Sequence, residues 1–179
     1  CYCWNLYFNN IISFSNCHKD MKRKLSKIKK LCDEQNLKIS LAESCTGGLL
    51  SSLITELPGC SSFFETSLVT YSNKSKIDFL GVKKNTISQY GAASHQTAKA
   101  MVIGLMSKTK TDIAVSITGV AGPTGGTKKN PVGTVYFGIA IKNKNKVKTY
   151  KKYFFKKNRK SIQSNSAKFA IDLMYKSIT

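Results

Sequence analysis

Two histidines in 179 residues, His18 and His95, leave almost nothing from which to build an imidazole-based triad or a multi-histidine metal site. Any hydrolase encoded here needs another base. Arginine is equally scarce: Arg23 and Arg159 stand among 29 basic residues, so lysine carries nearly all of the formal charge of +20, against 9 acidic residues. Such a charge concentrates polyanions at a surface, but base-readout and aromatic stacking motifs are missing. The lysines are spread along a chain that is also rich in Asn and Ile, the pattern of AT-rich coding in which lysine fills solvated positions. Nucleic acid is therefore discounted as a partner, while an anionic small molecule still gains from the field.

Long apolar runs are absent as well. The longest, 49–54 and 132–141, are interrupted by Ser or Gly and fall well short of a bilayer span, so no membrane partner is expected. The six cysteines (Cys1, Cys3, Cys17, Cys32, Cys45, Cys60) show neither paired zinc-type spacing nor a disulfide framework. They read as reduced thiols of a cytoplasmic protein, and neither a metal nor a cofactor is expected. Residues 1–20 are aromatic, Cys-rich and Asn-rich, without the charged start or small-residue cleavage site of a secretory signal. The texture changes at Met21. Residues 1–20 are expected to be a poorly ordered extension or upstream translation, and 21–179 a single domain, since length and 41% hydrophobic content suffice for one core and not two.

What is present is an alternation of helical and strand patterns. Leu25, Ile28 and Leu31 at helical spacing predict an amphipathic helix over 21–36. A short apolar strand over 37–42 leads into a turn at 43–48 and a helix over 49–56, broken by Pro58-Gly59. A strand within 63–71, clearest over 67–71, comes next, and Ser72 or Asn73 caps a short helix to Leu80. Ser94 caps a helix to about Thr109, and 113–118 reads as a strand buried on both faces. Strands over 132–141 and 147–155 form a hairpin around a turn at 143–146, before a closing helix over 159–176. The expected fold class is α/β, a three-layer α/β/α sandwich with a mixed, mostly parallel sheet.

Two glycine-rich segments each follow a strand, which places both at the carboxyl edge of a parallel sheet, where open α/β sheets bind ligands. The first, Ser44-Cys45-Thr46-Gly47-Gly48, opens a helix. Free N–H groups and the positive dipole end there suit a phosphate or an oxyanion. A tight strand-to-helix turn explains the same glycines, and the pattern is neither a P-loop nor a dinucleotide fingerprint. The second, from Gly119 to Gly126, either brings N–H groups to the same ligand or packs against the first loop.

Five ordered blocks carry more than any one of them. Ala42-Glu43-Ser44-Cys45-Thr46-Gly47-Gly48, Tyr71-Ser72-Asn73 with Lys76, Leu80-Gly81-Val82, Gly91-Ala92 with Ser94, and 118–126 with Pro131-Val132-Gly133-Thr134-Val135 together resemble the motifs of the CinA C-terminal domain family. Departures are modest: Lys74 stands where relatives commonly carry an acid, Tyr90 where they often have His, and Val120 replaces Ile. Nothing resembles the separate N-terminal domain of longer family members.

The resemblance implies hydrolysis of the carboxamide of nicotinamide mononucleotide (NMN) to nicotinate mononucleotide and ammonia, in pyridine-nucleotide salvage. It implies a serine nucleophile with Tyr and Lys partners, which at matching positions are Ser44, Tyr71 and Lys76. That chemistry is sound without a histidine, because a lysine of lowered pKa can activate a serine hydroxyl. Lys76 in the first turn of its helix would have its charged form disfavoured by the dipole and by desolvation. Tyr71 would relay the proton or bond the serine oxygen. The substrate-binding candidates are Glu43, Thr46, Gly47, Gly48, Asn73, Thr118, Gly119, Ala121 and Gly122. Glu43 either touches substrate or bonds the backbone, and Thr46 suits a helix cap better than catalysis. The different-class rival is a non-catalytic nucleotide-binding or competence-related regulatory module. The expected partner is a small mononucleotide, and homo-oligomerisation is left open.

Overall fold

Every residue of β1 (Ile39–Glu43) is buried, and β3 (Ile113–Gly119) is buried up to its last residue. Strands with both faces covered belong in the middle of a sheet. A computed structural model describes residues 2–144, 146–155 and 157–179. The side chains of residues 2–17, 144 and 146 lie outside the described residues, and with them most of the expectation for residues 1–20 and the thiols of Cys1, Cys3 and Cys17. Around β1 and β3 the chain adds α1 (Tyr2–Gln35), α2 (Leu49–Thr55), β2 (Phe64–Val69), α3 (Asn73–Leu80), α4 (Lys84–Tyr90), α5 (His95–Thr109), β4 (Thr134–Ile141), β5 (Lys146–Tyr153) and α6 (Arg159–Ile178).

The strand order is β2-β1-β3-β4-β5. β1 runs parallel to β2 and β3, while β4 is antiparallel to both β3 and β5, so four of the five strands point one way. The pleat sends alternate side chains to opposite faces. Ile39, Leu41, Ile113, Val115, Ile117 and Phe137 meet residues of α1, α2 and α6 such as Leu25, Leu50 and Met174. The other face is built from small residues, Ala42, Ala114 and Ala140, under Leu80, Met101, Val102 and Leu105. Small residues there let α5 approach closely: a side-chain carbon at Gly138 would lie 2.7 Å from the Ala98 carbonyl oxygen. The result is the expected three-layer α/β/α sandwich with a mixed sheet.

Boundaries differ from the sequence reading in instructive places. The helix expected over 21–36 is the C-terminal part of α1, and two residues before it already touch the core elements. His18 Nε2 lies 3.1 Å from Glu56 Oε2, and Asp20 Oδ2 lies 3.3 Å from Lys168 Nζ. α4 is absent from the sequence reading, because its 7 residues bury only Ile87 and its N-cap Lys83 makes no side-chain cap. The caps at Ser72 and Ser94 are present: each hydroxyl accepts from the amide three residues on. From β1 the chain moves to β2 on one side and only later to β3 on the other. The carboxyl ends of β1 and β3 therefore flank a topological switch point, the usual place for a ligand crevice.

Candidate active site

β1 ends at Glu43, and its carboxylate shapes the turn that leads into α2. Fully buried, it accepts from the amides of Gly48 (3.0 Å), Leu50 (3.2 Å) and Ser51 (2.8 Å), and from the Ser51 hydroxyl (2.5 Å). A carboxylate upstream of the helix thus satisfies the orphan N–H groups of the first turn of α2 and meets the positive dipole end. This corrects the expectation for Thr46 as a cap. The N-cap is Gly48, at φ 96, and the Thr46 hydroxyl is buried without a partner, because the carboxylate already occupies the position a cap would take. Gly47 (φ 63) and Gly48 supply the left-handed backbone of the turn, which ordinary residues adopt at a cost.

The turn presents Ser44 toward α3. The Ser72 hydroxyl accepts from the Ser75 amide at 3.0 Å, starting α3 so that Lys76 falls about one turn in and points back at the sheet. Lys76 Nζ lies 2.9 Å from Ser44 Oγ, and donates to the carbonyl oxygens of Thr70 at 2.8 Å and Tyr71 at 3.2 Å. All three acceptors are uncharged. With Lys76 only 1% exposed, burial lowers its pKa from 10.5 to about 8, opposed weakly by the Cys45 sulfur. Lys74 takes no part, since its ammonium pairs with Asp78. Two carbonyls hold two N–H groups, so in the neutral amine the third tetrahedral position, the lone pair, faces the Ser44 hydroxyl.

Cys45, the neighbour of Ser44, sits in the opposite environment. Burial pushes its thiol up to about 12, its side chain belongs to the core, and its carbonyl accepts from Gln163 Nε2 at 2.9 Å. Tyr71 departs from the expected contact. Its hydroxyl accepts from Arg159 Nη2 at 2.9 Å and makes no hydrogen bond to Ser44; only its carbonyl joins the Ser44–Lys76 cluster. Tyr71 ends up 59% exposed because it lies two residues past β2 on the sheet rim, where the phenol reaches outward and the backbone inward.

A pocket of about 460 Å³ opens over this cluster, within the usual range for small-molecule sites. Ser44, Tyr71 and Lys76 line it, as do Thr118 and Gly119 at the end of β3 and Ala121 and Gly122 from the loop after it. Glu43, Thr46, Gly47, Gly48 and Asn73 do not; the first four form or support the turn from behind, and Asn73 is exposed at the start of α3. The Thr118 hydroxyl donates to the Ala92 carbonyl at 2.8 Å, which tethers the wall formed by 91–93. Three functional candidates escaped the sequence reading. Arg159 binds the Gly122 carbonyl at 2.6 Å as well as Tyr71, Gln163 holds the Ser44 turn, and Asn130 Nδ2 ties its loop to the Ala93 carbonyl at 2.8 Å. Only the scarcity of arginine could have singled out Arg159; nothing local marks the other two.

Among the described residues there is no group of three or more His, Cys, Asp or Glu side chains that could hold a metal ion, and no helix long and apolar enough to cross a membrane.

A family model described as the CinA C-terminal domain matches residues 21–178. A CinA-like protein of Endomicrobium trichonymphae is 42% identical over 170 residues, covering 95% of this chain and 38% of that protein. One from Leptospira biflexa serovar Patoc is 49% identical over 140 residues, covering 78% of this chain and 33% of that protein. The chain thus spans little more than a third of the length of these relatives. Among solved structures, a competence/damage inducible protein from Agrobacterium tumefaciens superposes with a TM-score of 0.85 at 33% identity, covering 89% of this chain and 95% of the other. A CinA superfamily protein from Escherichia coli gives 0.81 at 28% identity, covering 87% and 89%.

Proposed function

This chain belongs to the CinA C-terminal domain family, and we propose that it is an amidohydrolase that converts NMN to nicotinate mononucleotide and ammonia, with Ser44 as nucleophile and Lys76 as base. The observation that carries the chemistry is the 2.9 Å contact between Lys76 Nζ and Ser44 Oγ, made by a buried lysine whose other partners are both carbonyls. The substrate itself comes from the family resemblance. A general base near neutrality beside a hydroxyl is what covalent acyl transfer needs.

Ser44 Oγ attacks the carboxamide carbon as its proton passes to neutral Lys76. The resulting ammonium donates a proton to the amide nitrogen, the C–N bond breaks, and ammonia leaves an ester on Ser44. Water then attacks the ester, Lys76 taking one of its protons, and the serine oxygen leaves with that proton as nicotinate mononucleotide is released. Backbone amides of the 44–48 turn and of the loop after β3 are the candidate oxyanion donors. Arg159, the second cation lining the pocket, suits the substrate phosphate, a role for which a guanidinium fork is well shaped.

The direct test is ammonia release from NMN by the purified chain, compared with free nicotinamide, which lacks the phosphate. Turnover of NMN much faster than of nicotinamide is expected. No release from NMN would reject the reading, and equal rates would remove the phosphate contact.

A further inference from the structure

The carboxylates of this chain are unevenly placed. Asp112 and Asp172 bracket residues 113–171, which contain 13 of the 29 basic residues and none of the 9 acidic ones. These residues form β3, β4, β5 and most of α6, one side of the sheet. A lysine-rich composition scatters lysines but does not by itself remove acids from one stretch; the carboxylates that do reach α6 are already paired, Asp20 with Lys168 and Asp172 with Lys24. Elsewhere carboxylates are paired as well, Glu56 with Lys22, Asp33 with Lys29 and Asp78 with Lys74.

A groove of about 580 Å³, with no carboxylate side chain in its lining, lies between the edge strand β5 and α6. Ile141 and Tyr150 contribute partly exposed apolar surface, and Lys148, Lys151, Lys152 and Lys176 contribute the charge. It is separate from the catalytic pocket. Arg159 at the start of α6 lines that pocket and Lys176 near the end of the same helix lines the groove, roughly 25 Å apart along the helix at its standard rise.

Ammonium groups with no carboxylate side chain among the described lining residues, set around apolar surface, complement an anion that carries several charges and an apolar body. The charges are lysines, compact point charges that suit phosphate. A run of stacked bases is poorly served, because the Phe169 ring is already engaged. Tyr150 and Phe137 meet it edge-on, with centroids 6.2 and 4.8 Å away, and Lys152 Nζ sits 4.8 Å from its centroid. We propose that the groove between β5 and α6 is a second, non-catalytic site for a nucleoside polyphosphate, its phosphates held by Lys148, Lys152 and Lys176 and its nucleoside against Ile141 and Tyr150. This site does not depend on the reaction assigned to Ser44.

The experiment is calorimetric titration of the full chain with ATP, inorganic triphosphate, adenosine and a single-stranded oligonucleotide, at low and at raised salt. ATP should bind more tightly than triphosphate, and adenosine should not register. In the variant carrying Lys148→Glu, Lys152→Glu and Lys176→Glu, three exposed positions, ATP affinity should fall by at least about tenfold while kcat for NMN stays as in the parent. Ser44→Ala should bind ATP as the parent does, and saturating nicotinate mononucleotide should leave ATP bound. The proposal is overturned if ATP does not bind at low salt, if the triple variant binds it equally, or if nicotinate mononucleotide displaces it. It is also overturned if the oligonucleotide binds far more tightly than ATP through the same lysines, which would make the face a nucleic-acid track.

Discussion

At Ser44 and Cys45 two nucleophiles stand side by side in opposite surroundings, and their substitution separates them. Ser44→Ala should cost roughly a thousandfold or more in turnover while keeping the fold, as loss of a covalent nucleophile does; ammonia release and a melting curve measure both. Cys45→Ala should retain most turnover and lose about 1 kcal/mol of stability from the small cavity. The reverse pattern would place the nucleophile on sulfur. Lys76→Met should match Ser44→Ala in rate, and in the parent kcat/KM should climb as pH rises through about 8, where the amine becomes neutral. The same pKa has a stability signature of definite sign. The folded value of about 8 lies below the ordinary 10.5, so between these pH values the unfolded chain holds more protons and the fold gains stability as pH rises. The full shift corresponds to roughly 3 kcal/mol. Melting temperatures should therefore keep a constant difference between parent and Lys76→Met below about pH 8 and move in the parent's favour above it. A difference that stays flat to high pH would show that Lys76 is not buried as a charge.

At the level of elements, the site is held by helix starts. α2 begins on the Glu43 carboxylate, α3 on Ser72, and α6 at Arg159, whose guanidinium bridges the loop after β3 to Tyr71. Glu43→Gln replaces an acceptor-only group by one with an N–H₂ that must face backbone N–H groups. It should destabilise the chain by about 1–3 kcal/mol and lower turnover through the displaced Ser44 turn; chemical denaturation measures the first. Arg159→Ala should raise KM for NMN more than it lowers kcat, since its proposed partner is the phosphate. For α1, a version of the chain starting at Met21 should fold and turn over NMN normally. The contacts of His18 and Asp20 are surface pairs, a class that contributes little, and the family match also starts at 21. A large fall in melting temperature would show that the first turns of α1 belong to the core.

Across the whole molecule, the formal charge is +20, and 13 of the 29 basic residues fall in the acid-free stretch 113–171, so kcat/KM for an anionic mononucleotide should fall as ionic strength rises, with kcat nearly constant. The sequence by itself determined the layers and the order of the chemistry. Periods of 2 and 3.6 residues are local consequences of strand and helix geometry, which is why 113–118 and the Ser72 and Ser94 caps read correctly while the weakly patterned α4 did not. The motif blocks likewise carried Ser44, Tyr71 and Lys76 in order. Only the tertiary structure decided what those residues do to one another. Lys76 meets Ser44 across 32 positions of sequence, and its lowered pKa comes from burial that packing creates. Tyr71 turns to Arg159 across 88 positions, and the Glu43 carboxylate is consumed by α2 instead of facing a ligand. A periodic pattern encodes which face of an element is buried, but contact, desolvation and hydrogen-bond choice depend on what the rest of the chain brings to that face.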